Sequence, residues 1–139
     1  MGYLLDTNVV SALRRPGLNP RAAEWASGIP LGELFISAFT VAEIERGVRR
    51  AESSDPAQGE MLRHWFEQGV VPGFAGRVLP FDFAAARVLA GWPVPEGAPM
   101  DDALIAAVAA ANDLTMATRN LKHVEPLGVP LVNPWEPSA

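Results

Sequence analysis

The sequence predicts an α/β domain of three layers, a mostly parallel central sheet flanked by helices. Three observations predict it. Short apolar runs recur along the chain, each followed by a polar capping residue and then by apolar positions at helical spacing. The runs are apolar at consecutive positions, as expected for strands covered on both faces. Strand and helix patterns alternate from end to end, which favours parallel pairing with helices on both sides.

In order, Tyr3–Leu5 reads as a buried strand ending at Asp6-Thr7-Asn8, and Val9–Arg14 as a short helix stopped by Pro16-Gly17. Pro20 to Ser27 follows as a helix with proline in its first turn. Leu34-Phe35-Ile36-Ser37 is a second strand. Thr40 then opens a helix whose apolar stripe is Val41, Ile44 and Val48. A polar break at Ser53–Pro56 precedes a helix over Gln58–Val70. Val78–Phe81 is a third strand, and Asp82 caps a helix over Phe83–Ala90. After a Pro/Gly loop comes an Ala-rich helix, Asp101–Asn112, with Asp101 at the cap position. Leu114–Ala117 is a fourth strand, Thr118-Arg119-Asn120 leads into a short helix, and Val129–Val132 closes the sheet.

Composition narrows the function classes. The 139 residues suit a single domain over 1–139, and 49% hydrophobic content is enough for a sizeable core. With no cysteine there is no disulfide framework, thiolate nucleophile or Cys-ligated zinc site. No apolar run approaches a membrane span, and the first residues lack a basic leader, so a cytoplasmic location is expected. A net charge of −5 argues against a general nucleic-acid binder. Lys122 is the only lysine, against ten arginines.

In a parallel sheet every strand-to-helix transition lies at the carboxyl edge, where active sites collect. Asp6, Glu43, Asp102 and Asn120 all fall at such transitions. Each has a plain structural role open to it: Asp6 as a helix cap, Glu43 as the far end of a Thr40–Glu43 capping box, Asp102 near a helix start, Asn120 as a cap. Three carboxylates at one edge are costly without a positive charge between them. A hard divalent ion such as Mg²⁺ or Mn²⁺ takes such oxygen ligands and promotes phosphodiester hydrolysis. His64 and His123 form no ligand pattern; His123, near Asn120, could approach the active edge, but a solvated surface histidine is the favoured reading. Arg14, Arg15, Arg46, Arg49 and Arg50 flank the acids and are available to phosphates or to solvent.

The wording of the motifs goes further. Leu5-Asp6-Thr7-Asn8-Val9-Val10-Ser11, Ile36-Ser37, Thr40-Val41-Ala42-Glu43-Ile44, the run Asp102 to Ala109, Thr118-Arg119-Asn120 and Asn133-Pro134-Trp135 stand in one order over nearly the whole chain. Together they make it similar to the PIN-domain ribonucleases, specifically the VapC toxins and FitB-type proteins. The resemblance implies a PIN-like fold and an endoribonuclease acting as a toxin. Asp6, Asp102 and Glu43 would hold Mg²⁺ or Mn²⁺, with Glu43 also able to orient and deprotonate the attacking water. Asn120 would position a water, and Arg119 and Arg46 would contact the substrate. It also implies a VapB-type antitoxin, RNA as substrate, and a homodimer. Asn120 stands where many relatives carry a fourth acid, which puts a second tightly held ion in doubt. Two other readings stay open: a receiver-type phosphoacceptor domain, for which Lys122 would have to serve as the required lysine, and a PIN-like binding module without catalysis.

Overall fold

A computed structural model describes residues 2–137. Its sheet has five strands: β1 (Tyr3–Leu5), β2 (Leu34–Ser37), β3 (Val78–Leu79), β4 (Thr115–Ala117) and β5 (Leu131–Val132). All pairings are parallel, in the order β3-β2-β1-β4-β5. Leu5 lies opposite Ala117 in the register of β1 with β4, and Asp6 extends that pairing by donating its backbone N–H to Ala117 O at 2.8 Å.

Successive strand residues point to opposite faces, and this divides the core in two. Leu4 and Met116 face one cluster, built on α6 (Phe83–Ala90) and α7 (Met100–Ala111), with Val124 of α8 (Leu121–Val124) beside them. Leu5, Ile36 and Ala117 face the other, with α1 (Thr7–Leu13), α3 (Ala38–Ser54) and the turn after α4 (Pro56–Trp65). α2 (Pro20–Ser27) adds Trp25 to this side. The three-layer arrangement is therefore the one expected, and the sheet is parallel throughout. α7 buries Ala103 and every residue from Ile105 to Ala109, so its alanines allow close packing nearly all round.

Several boundaries differ from the sequence reading, each for a physical reason. α3 begins at Ala38, because Ser37 caps it by accepting the Thr40 N–H at 3.2 Å. Thr40 is thus fully buried inside the helix and is not its cap, and Glu43 lies in the second turn. α7 begins at Met100 after Pro99, so Asp101 is its second residue and makes no capping bond. Pro80 has no N–H to donate, and β3 ends at Leu79. β5 begins after Pro130. The helix expected over Gln58–Val70 starts at Pro56, and its last turn, Phe66–Val70, widens to a π-helical one before a short α5 (Val71–Gly73).

α3 and α4 form a tight hairpin. Arg63 links it by donating to Glu45 at 2.8 Å, Glu52 at 3.0 Å and Glu67 at 3.2 Å. The bonds from Arg63 and Arg49 hold Glu45 down to about 2. These groups meet solvent, so the stability they add is small. The packing itself is less forgiving. A Cβ on Gly59 would lie 2.5 Å from Glu52 Cα and 2.6 Å from its N, both backbone atoms. Gly59→Ala must therefore push the two helices apart, and it is expected to lower stability by about 2 kcal/mol, within the usual cost of overpacking. Urea denaturation reads this out; an unchanged midpoint would mean that the hairpin opens without penalty.

Candidate active site

The carboxyl edge is assembled around β1, the central strand. Asp6 follows it directly and is 5% exposed. One carboxylate oxygen accepts the Thr7 N–H at 2.8 Å, so Asp6 does cap α1. The other accepts the hydroxyl of Thr118 at 2.7 Å, across from the neighbouring strand β4. Asn8 Nδ2 stands 3.4 Å from that same oxygen and 3.4 Å from Thr118 Oγ1. Capping and site geometry are thus not alternatives here, since one side chain does both.

Glu43 arrives from α3. The hydroxyl of Thr7 donates to its Oε1 at 2.9 Å and stands 3.0 Å from Thr40 Oγ1. Asp102, the third residue of α7, is mostly covered, with 18% of its side chain exposed, and its Oδ2 lies 3.0 Å from His123 Nδ1. Asp101 is exposed and lines a shallow pocket with Phe39, Glu43, Arg46 and Leu104. Asn120 is exposed at the start of α8, where its side chain makes no capping bond. Arg119 is exposed too, with its guanidinium 4.5 Å from the ring centre of Trp135.

The acids feel one another. Burial pushes Asp6 above the usual carboxylate range; the bonds from Thr118 and Thr7 pull it back, and the charge of Asp102 pushes it up again. Glu43 is also raised, first by the protein packed round its carboxylate and then, against the Thr7 bond, by Asp6, Asp101 and Asp102. Even so, among the described residues no three Asp, Glu, His or Cys side chains converge tightly enough to cage a metal ion unaided.

The PIN domain family matches residues 3–125. The chain is a PIN-domain protein. It is 37% identical to the toxin FitB of Neisseria gonorrhoeae over 137 residues, covering 95% of this chain and 97% of FitB. It is 55% identical over 71 residues to ribonuclease VapC14 of Mycobacterium tuberculosis, covering 51% of this chain and 69% of VapC14. The crystal structure of FitAcB from N. gonorrhoeae superimposes with a TM-score of 0.85 at 37% identity, covering 96% of this chain and 99% of that one.

This PIN domain brings Asp6, Glu43 and Asp102 into one electrostatic neighbourhood, with Asn120 and Arg119 at its rim and Arg46 on the Glu43–Asp101 side. Sequence reasoning missed the groups that hold them. Thr118 and Thr40 are fully buried hydroxyls whose bonds run to residues more than thirty positions away. His123 was expected in solvent; it is half exposed, but its ring is engaged by Asp102 because α8 starts at Leu121 and turns it back to the edge. A Thr next to a strand end was the only available signal. Lys122 is exposed and meets none of the acids, unlike the lysine a receiver-type site would require. No helix among the described residues is long and apolar enough to cross a membrane.

Proposed function

We propose that this chain is a toxin endoribonuclease of a toxin–antitoxin pair, which hydrolyses RNA phosphodiester bonds with a divalent ion. One observation carries the reading. At the carboxyl edge of a PIN domain, the charge of Asp102 raises the proton affinity of both Asp6 and Glu43, and that of Asp6 raises Glu43 as well, while among the described residues no cationic side chain forms an ion pair with Asp6 or Glu43. The likeness to FitB over nearly the whole chain supports the toxin role and a VapB-type antitoxin as partner, with the toxin as a homodimer.

The donors are hard oxygens, which fit Mg²⁺ or Mn²⁺. The loose convergence of the acids suits Mg²⁺ in particular, which keeps several waters and needs only one or two carboxylates. Asp6 and Asp102 would be the direct ligands, with Glu43 completing the set. When bound, the ion supplies positive charge that acidifies water and draws electrons from the phosphoryl group. The chain's own residues do the rest. Thr118 and Thr7 fix the Asp6 carboxylate, and His123 fixes Asp102. Glu43, with its raised proton affinity, orients the attacking water and takes its proton. Asn120 positions a water, and Arg119 and Arg46 contact the RNA substrate.

Cleavage of single-stranded RNA should stop in EDTA and return with added Mg²⁺ or Mn²⁺, followed on gels with purified protein. Sustained cleavage by metal-stripped, repurified protein would exclude the metal mechanism. The receiver-type reading fares worse, because Lys122, the only lysine, forms no ion pair with any of these acids.

A further inference from the structure

Beside the acids, the residues just after β4 and β5 present a cation–aromatic pair. The Arg119 guanidinium lies 4.5 Å from the centre of the Trp135 ring. Both partners are held from behind. Trp135 Nε1 donates to Asn19 Oδ1 at 3.2 Å, and its backbone N–H donates to Asn133 Oδ1 at 3.0 Å. The ring packs against the core cluster that contains Leu5 and Val9. The Arg119 N–H donates to Asn8 Oδ1 at 3.3 Å, and the amide of that same Asn8 reaches Asp6. A single side chain, that of Asn8, thus links the Arg119 backbone to the carboxylate most central to the site.

Arg63 and Arg77 engage their guanidinium donors with glutamates or backbone carbonyls. Arg119 is different. Among the described residues its head makes neither a hydrogen bond nor an ion pair, and it is exposed. It offers solvent a flat, delocalised cation already held over the Trp135 ring. Such a surface stacks on nucleobases, and in single-stranded RNA the base faces are free to meet it. The protein's charge adds a reason. At −5 overall, diffuse attraction for the RNA backbone is weak, so local contacts must contribute more of the binding.

We infer that Arg119 and Trp135 form a nucleobase-stacking subsite for single-stranded RNA, next to the Asp6 end of the carboxylate cluster. This rests on the ribonuclease reading above. Trp135 sets the plane of the guanidinium, and the outward face of Arg119 receives the base of a nucleotide flanking the cleaved phosphate. Fixing the arginine before RNA arrives reduces the ordering cost of binding.

The test measures anisotropy of fluorescein-labelled 12-mers in EDTA, with Asp6→Asn protein as the non-cleaving parent. The probes are oligo(U), oligo(A) and a 12-mer of abasic spacers with the same phosphates. The parent is expected to bind the base-bearing probes about tenfold more tightly than the abasic one, as one stacked base allows. Arg119→Lys keeps the charge but loses the plane, and it should bring all three probes to within about twofold of one another. Trp135→Phe keeps an aromatic platform and should retain most of the gap. Arg119→Lys, at an exposed position, guards against misfolding as the cause of any loss. A gap that survives Arg119→Lys, or a parent without a gap, overturns the subsite. If wild-type protein cleaves RNA in either case, only the subsite falls; if it cleaves and binds none, the ribonuclease reading falls with it.

Discussion

Asp6→Asn protein is expected to cleave no RNA while remaining folded. Partners that merely orient a metal ligand cost about 10- to 100-fold when removed, so loss of a direct ligand should cost at least about a hundredfold. The stability argument runs the other way from that of an ordinary cap, whose loss costs about 1 kcal/mol. Burial raises Asp6 above its ordinary 3.8 in the folded protein. Across the window between those two values the folded state holds the extra proton, so stability falls as pH rises through it. At neutral pH the ionised carboxylate therefore works against folding. Asparagine removes that charge, but it gives up one acceptor oxygen for the Thr118–Thr7 pair. The two effects oppose, and the melting temperature in metal-free buffer should move little. Metal response separates the roles cleanly. Mn²⁺ at a hundred times its dissociation constant should stabilise wild type by about 2.7 kcal/mol and the variant hardly at all. Expressed in cells, the variant should be harmless where wild type arrests growth. Full cleavage together with an undiminished Mn²⁺ shift would return Asp6 to a capping role alone.

The second large effect distinguishes two neighbours. Asp102→Asn is expected to abolish cleavage, and Asp101→Asn to leave most of it. Consecutive helical residues point about 100° apart, so one ion cannot face both. The structure gives the pair different surroundings. Asp102 is mostly covered, engages His123, and is felt by both Asp6 and Glu43. Asp101 is exposed and is felt by Glu43 alone of those two. Pro99 occupies the cap position, so Asp101 contributes only through its charge near the helix start, worth about 0.3–1 kcal/mol. Side-by-side RNA cleavage and Mn²⁺ titrations of the two variants decide the matter; a dead Asp101→Asn with an active Asp102→Asn would reverse the assignment.

Much of the fold was legible because local rules agree with it. Pro20–Ser27 and Phe83–Ala90 appear where the sequence puts them, and Asp82 does cap the latter, accepting the Ala85 N–H at 3.0 Å. The helix after β2 was read three residues late in its cap, because Thr40-Val41-Ala42-Glu43 has the spacing of a capping box while Ser37 looks like the end of a strand. Tertiary contact decides such cases. The Thr40 hydroxyl is taken by Thr7, thirty-three residues away, and the Glu43 carboxylate by the same Thr7. The acids were legible for a similar reason of scale: their place follows from topology, and topology follows from the alternation of elements. Their supports were not, since a bond from Thr118 to Asp6 or from His123 to Asp102 has no local pattern.

The grip on Asp6 has a kinetic consequence. Both of its oxygens are already bonded, to Thr7 and Thr118, in a buried position at the end of the central strand. No segment has to fold or swing for that carboxylate to take its working position. A molecule seated over the edge would leave that carboxylate in place, so the delay between its departure and the first cut would be set by its dissociation rate.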